Sequence, residues 1–263
     1  MTTARSLTYF LSDIHLGLDY EGESSSERET ILVDWLISIE DSAARVYFVG
    51  DIFDYWFEYG EGRQPNYPLF FGQLKAMVSL GIEIHFFAGN HDLWMHGYFP
   101  DKYGFKVYHK PQVLTLSKQV FLLAHGDGLG KGDDLYKLLK KLMTHSVTQW
   151  LYSLFPAKLG LSIMRSVSQK SRLQHVQDSF QSFAQERLIQ YCESHVDRKK
   201  INYFIFGHRH LPIRYRLQQS SAEYINLGDW IKYKSYAYFD GVSLHYSFLQ
   251  SESEAELITN HIS

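Results

Sequence analysis

Val46-Tyr47-Phe48-Val49-Gly50-Asp51-Ile52-Phe53-Asp54 is the stretch whose reading decides the fold. Four apolar residues in a row read as a buried strand, and Gly50-Asp51 ends it. A carboxylate just past such a strand sits where open α/β sheets bind their ligands. Taken alone, Gly50 to Asp54 also fits a turn, with Gly50 at positive φ and Asp51 capping a helix. Its company argues for more. Four other strand-like runs end in metal-ligand residue types. Leu7 to Leu11 leads to Asp13 and His15, and Ile82 to Ala88 leads to Asn90. Val120 to Ala124 leads to His125, and Asn202 to Phe206 leads to His208 and His210.

The set is two Asp, one Asn and four His, with no sulfur. Mixed oxygen and imidazole donors suit first-row divalent ions such as Mn, Fe, Co or Zn. Seven donors are too many for one such ion and suit two, with one carboxylate shared. Two ions can clamp the attacking and leaving oxygens of a phosphoryl displacement, and a bound water loses its proton near neutral pH. Asp-x-His and His-x-His place two side chains on the same side of an extended segment, so each pair can grip one ion. His91, beside Asn90, is placed to stabilise charge or protonate a leaving oxygen, and Asp92 is expected to orient it.

Around these blocks the chain alternates strands with helices, then turns to antiparallel-looking strands. Ser26-Glu27-Arg28-Glu29 reads as a capping box opening a helix with Ile31, Leu32, Trp35, Leu36 and Ile39 on its apolar face. Pro68 opens a second helix that stops at Gly81. Leu135, Leu138, Leu139 and Leu142 mark a third, and helical patterning runs on to about His195 with breaks at Pro156 and Gly160. Asp240-Gly241 marks a hairpin, and the polar tail from Ser251 is expected at the periphery. The pattern predicts one layered α/β domain over 1–263, with a helical cap inserted at about 130–195.

Composition narrows the class. With 263 residues, 45% apolar, the chain can bury a sizeable core. A formal charge of −3 gives no signal for nucleic acid. The single cysteine, Cys192, excludes an internal disulfide or a thiolate zinc cluster and suits a reducing compartment. No signal-peptide region and no run of membrane-spanning length is found, so a cytoplasmic location is expected, with attachment to a membrane surface open. No obligate protein partner is evident. From Lys131 to Arg172, eight Lys/Arg face only Asp133 and Asp134, a local +6 among many Leu, Phe, Tyr, Trp and Met. Such a segment fits an ordinary amphipathic helical pair, and equally an anionic lipid substrate or an anionic inner-membrane surface.

Asp13-Ile14-His15, Gly50-Asp51-Ile52-Phe53-Asp54, Gly89-Asn90-His91-Asp92, His125-Gly126-Asp127 and Gly207-His208-Arg209-His210 resemble the five ordered blocks of the calcineurin-like metallophosphoesterases. The resemblance spans about Leu7 to Leu211. It implies a four-layer α/β/β/α sandwich with a dinuclear site. Asp13, His15 and His210 would hold one ion, Asn90, His125 and His208 the other, and Asp51 would bridge. His91 would act on the transition state or the leaving group.

A narrower likeness lies in the cap. Its length and place, His125-Gly126-Asp127-Gly128-Leu129 continuing to Asp133-Asp134-Leu135-Tyr136, and Arg165-Ser166-Val167-Ser168 resemble the branch that hydrolyses UDP-2,3-diacylglucosamine in lipid A synthesis. That branch forms UMP and 2,3-diacylglucosamine 1-phosphate, usually with manganese. The likeness implies a nucleotide-linked acylated sugar as substrate, two Mn²⁺ ions as cofactor, and substrate contacts at Asn90, His91, Asp133, Arg165, Ser168, Arg172 and His208. Two departures accompany it. Many members carry Arg where this chain has His91, and Arg172 and His175 stand where familiar members have other residues. Another nucleotide, a cyclic nucleotide or a phospholipid is the alternative substrate, and a non-catalytic binding module the remote one.

Overall fold

The computed structural model describes residues 5–58, 67–95, 97–132, 134–154, 180–195, 200–250 and 256–260. Its twelve described strands form two six-stranded sheets. The first contains β1 (Leu7–Leu11), β2 (Ala43–Val49), β3 (Glu83–Phe87), β4 (Lys106–Tyr108), β10 (Ser235–Phe239) and β11 (Leu244–Phe248), in the order β11-β10-β1-β2-β3-β4. Strands β1 to β4 are parallel, β10 pairs antiparallel with β1, and β11 pairs antiparallel with β10 in the expected hairpin. The second contains β5 (Gln112–Leu116), β6 (Gln119–Leu123), β7 (Tyr203–Phe206), β8 (Pro212–Arg216), β9 (Glu223–Leu227) and β12 (Ile258–Thr259), in the order β12-β8-β9-β7-β6-β5.

Period-two alternation builds the layers. In β2, Val46 and Phe48 point to one face and Tyr47 and Val49 to the other, and all four are buried. Val46 and Phe48 pack with α1 (Ser25–Ser38) and α2 (Pro68–Ser79) through Leu32, Trp35, Phe70 and Leu74. Tyr47 and Val49 join Phe10, Phe87, Phe121, Leu123, Ile205 and Leu227 in the core between the sheets. Beyond the second sheet, Leu188, Ile189 and Cys192 of α6 (Arg187–Glu193) cover Phe204, Phe206 and Tyr224. The layers are therefore helix, sheet, sheet, helix. A short helix, α3 (Tyr98–Tyr103), supplies Phe99 to the first core and had no signature we read in the sequence.

Three local expectations change. The capping box of α1 is Ser24 and Glu27, not Ser26 and Glu29. The Glu29 carboxylate is buried and accepts from the Phe70 N–H, an otherwise unpaired donor in the first turn of α2. The tail past Ser251 is not wholly peripheral, because Ile258–Thr259 pairs in parallel with β8 and extends the second sheet. The inserted helical segment contributes α4 (Asp134–Met143) and α5 (Ser146–Ser153) to the description, while residues 155–179 lie outside it.

His85, on β3, adds a pH dependence to stability. Its ring stacks on Tyr47 with centroids 4.2 Å apart, and Nδ1 lies 3.1 Å from the Tyr108 hydroxyl. Burial, reinforced by the Lys106 ammonium and opposed by Glu83, pushes the imidazole down to about 4. An unfolded chain protonates this residue near pH ~6.5, so between those values the unfolded state binds more protons. Stability therefore falls as pH drops from about 6.5 to about 4. Comparing urea unfolding at pH 7 and pH 4.5, we expect His85→Gln to remove about 2 kcal/mol of the wild-type loss. Equal losses in the two proteins would contradict this account.

Candidate metal centre

The cluster is assembled where the carboxyl ends of the central parallel strands meet. Past β1 and β2 the chains stay paired: Asp13 N–H donates to Gly50 O at 3.1 Å, Ile14 N–H to Asp51 O at 2.9 Å, and Leu16 N–H to Ile52 O at 2.9 Å. Gly50 has φ +90°, and a Cβ there would overlap the His125 ring, so only glycine lets the end of β6 approach the end of β2. Gly207 N–H donates to His125 O at 2.8 Å and joins the ends of β6 and β7.

All seven expected ligands come together. Donor atoms of Asp13, His15 and His210 lie within 4.8 Å of one another, as do those of Asp13, Asp51 and His125. Asp51 Oδ2 is 3.2 Å from His125 Nε2 and 3.9 Å from His15 Nε2, while Oδ1 accepts the His91 N–H at 2.8 Å. Asn90 Oδ1 is 3.2 Å from His125 Nε2 and 3.0 Å from His208 Nδ1. Asp13 Oδ1 is 3.4 Å from His210 Nε2, and its Oδ2 accepts from Ser12 Oγ and, at 3.0 Å, from His208 N–H. The Asp51 carboxylate is thus the common neighbour of His15 on one side and His125 on the other.

The backbone is held in an uncommon state to achieve this. Nine non-glycine residues among those described have positive φ, and five of them are Asp13, His15, Asp51, His208 and His210. Side chains in that region cost conformational energy and persist where the surroundings over-determine them, often at functional sites.

The electrostatics fit divalent cations. Asp13 Oδ1 and both His15 ring nitrogens are buried without a hydrogen-bond partner among the described residues, which costs free energy unless something pairs with them. Burial would raise the Asp51 carboxyl, but His125, His91 and His15 around it hold it well below the usual carboxylate range. Burial likewise opposes the charge on His125 and His210. Asp51 lifts His125 to about 10, and Asp13 with Asp229 lifts His210 to about 9. Cations entering this pocket compete with those protons, so their affinity rises with pH.

The expected partner of His91 differs. Both Asp92 oxygens are engaged by backbone N–H groups, those of Gly89 at 2.7 Å, Ile52 at 2.8 Å, Asp51 at 3.3 Å and Phe53 at 3.4 Å. Asp92 therefore clamps two loops together and does not orient His91. The His91 ring is set instead by Asp54, whose backbone carbonyl lies 2.9 Å and carboxylate 3.8 Å from Nδ1. Asp54 also stands 3.5 Å from His15 Nδ1. Burial pushes His91 down to about 4, against Asp51 and Asp54, which leaves it neutral at pH 7.

Helices α4 and α5 meet this centre at two places. Asp127, two residues past His125, accepts from the Tyr136 hydroxyl and from Lys140 Nζ at 2.6 Å, both on α4. Trp94 Nε1–H donates to Met143 O at 2.8 Å, and Tyr152 of α5 packs on Phe57 and Trp94. Leu135, Leu138, Leu139 and Leu142 of α4, Trp150 of α5 and Leu154 just past its end are exposed. The expected substrate contacts Asp133, Arg165, Ser168 and Arg172, and also His175, lie outside the described residues.

Asp229, hydrogen-bonded to His210, was missed in the sequence. The signal was there: Tyr224-Ile225-Asn226-Leu227 followed by Gly228-Asp229 repeats the strand-then-Gly-Asp order of the opening stretch.

Comparison with known proteins agrees with this architecture. Curated relatives include a UDP-2,3-diacylglucosamine hydrolase of Porphyromonas gingivalis, 34% identical over 91% of this chain and 96% of that one. Proteins of the same name from Haemophilus influenzae and Actinobacillus succinogenes are each 28% identical, over 86% and 85% of this chain and 91% of theirs. The family profile for calcineurin-like phosphoesterases matches residues 7–212, which include all seven clustered side chains, four strands of the first sheet and three of the second. The chain belongs to the calcineurin-like phosphoesterase family.

Proposed function

We propose that this protein hydrolyses the pyrophosphate of UDP-2,3-diacylglucosamine, breaking one P–O bond with water to give UMP and 2,3-diacylglucosamine 1-phosphate. The observation that carries the reading is the Porphyromonas gingivalis relative of that name, similar over more than nine-tenths of both chains. Asp13, His15 and His210 would hold one divalent cation and Asn90, His125 and His208 another, with Asp51 shared. When bound, the cations supply a Lewis acid for the phosphoryl oxygens and an acidified water, with Mn²⁺ the expected metal. His91 has Nδ1 directed at the Asp54 carbonyl, which leaves Nε2 for the substrate; in its protonated form the ring would donate from Nε2 to a phosphoryl or leaving oxygen. Asp133, Arg165, Ser168 and Arg172 would complete the grip on the substrate.

The exposed leucines of α4 beside Lys137, Lys140 and Lys141 support contact with acyl chains and with an anionic membrane surface. No helix among the described residues is long and apolar enough to cross a membrane.

Purified protein with Mn²⁺ is expected to release UMP and the diacylated sugar phosphate in equal amounts. Chelation should stop the reaction and added Mn²⁺ should restore it. Turnover of cyclic nucleotides with no UMP release from the nucleotide lipid would reject the substrate assignment.

A further inference from the structure

Asp229 lies past residue 212, where the family match ends, and outside the five ligand blocks. It follows β9 directly and is buried, with 5% of its surface exposed. Its two oxygens have separate partners. Oδ1 accepts the backbone N–H of Lys232 at 2.7 Å and of Tyr233 at 3.2 Å. Oδ2 stands 3.2 Å from His210 Nδ1. The opposite ring nitrogen, Nε2, faces Asp13 Oδ1 at 3.4 Å.

The segment around Asp229 touches the same two loops. Trp230 N–H donates to Asp13 O at 3.0 Å, and Asn226 Nδ2 donates to Gly207 O. Ser235 Oγ–H donates to Leu227 O at 2.6 Å and closes the segment on itself. Asn226 to Trp230 therefore acts as a sixth block, which joins the Asp13 loop to the loop carrying His208 and His210.

We infer that Asp229 is a positioning residue: it keeps the proton of His210 on Nδ1, so that the Nε2 lone pair is turned toward Asp13 for a divalent cation. A neutral imidazole has one donor nitrogen and one acceptor nitrogen, and its hydrogen-bond partner decides which is which. An ionised carboxylate only accepts, so it selects Nδ1–H and makes Nε2 a better ligand. The two backbone amides on Oδ1 hold the carboxylate in place. This inference rests on the reading that Asp13, His15 and His210 hold a cation.

Asp229→Asn tests it. The amide oxygen can keep both backbone N–H groups, while the NH₂ then faces His210 Nδ1 and drives the proton to Nε2, on the cation side. In calorimetric titration of chelator-stripped protein with Mn²⁺, we expect the wild type to bind two ions. The variant should bind one ion as tightly as the wild type and the other about 10–100-fold more weakly. In a His210→Ala background, Asp229→Asn should change Mn²⁺ affinity no further, whereas a merely structural Asp229 would weaken binding in both backgrounds. A measurement that needs no folded variant is the ¹⁵N spectrum of His-labelled, Zn²⁺-loaded wild type. It should show the His210 proton on Nδ1, and a proton on Nε2 would overturn the inference. Two ions bound equally well by wild type and Asp229→Asn would overturn it alone. A wild type that binds no Mn²⁺ would instead reject the metal reading beneath it.

Discussion

Asp51→Asn is expected to leave a folded protein that no longer turns over. Asparagine keeps the size of the side chain, keeps an oxygen for the His91 N–H, and tolerates the φ of +52° at this position better than alanine. What it removes is the charge. Oδ2 of Asp51 is the shared neighbour of His15 and His125, so the loss is felt at both halves of the cluster. We expect kcat/KM to fall at least ~10³-fold, about 4 kcal/mol of transition-state stabilisation. Bound Mn²⁺, counted by elemental analysis, should drop below that of the wild type. A variant that keeps its full metal content and a tenth of the activity would rule out a bridging role for Asp51.

Gly89→Ala should be nearly as damaging, for a steric reason. A Cβ on Gly89 would run into Asp51 Oδ1, lie 2.6 Å from the Asp51 nitrogen and 2.9 Å from its Cγ. The backbone cannot swing away cheaply, because Gly89 N–H is bonded to Asp92 Oδ1, and Asp92 also holds the Asp51 and Ile52 amides. The intruding methyl group is thus tied to the loop it strikes. We expect a stability loss of about 3 kcal/mol in urea unfolding and, from the displaced carboxylate, a fall in kcat/KM of at least ~10²-fold. Gly81→Ala is the control. It has φ +85° and nothing within 4 Å, so it should cost about 1 kcal/mol of stability and no activity. Wild-type kinetics in Gly89→Ala would show that the two loops have slack the structure does not suggest.

Much of this centre was legible before the structure, and the reason is local. A strand that is buried on both faces reads as an apolar run, as in Tyr47 to Val49, and the residue that ends it must sit at the mouth of the sheet. Five such endings place seven donors without any knowledge of strand order. What could not be read depends on which loops become neighbours. Asp92 stands next to His91 in the chain, which suggested a pair, yet its carboxylate reaches across to amides near residue 52. Glu29 had the spacing of a cap partner, but the arrival of α2 gives it the Phe70 amide. Asp229 carried the same Gly-Asp signature as Asp51, and only the parallel pairing of β9 with β7, which sets Asn226 opposite Phe206, brings it beside His210.

The five left-handed residues of the centre have a consequence for how far this protein can be hardened. Each costs on the order of 1 kcal/mol relative to a relaxed backbone, and a folded chain typically has only about 5–15 kcal/mol in hand. Heat resistance and turnover are therefore set against each other at positions 13, 15, 51, 208 and 210. The aromatic stacks beneath them, such as Phe48 on Phe86 and Phe10 on Tyr47, supply the cohesion that lets such loops persist. A thermostable form that still works must gain its margin elsewhere, in surface helices or in loops remote from the strand ends.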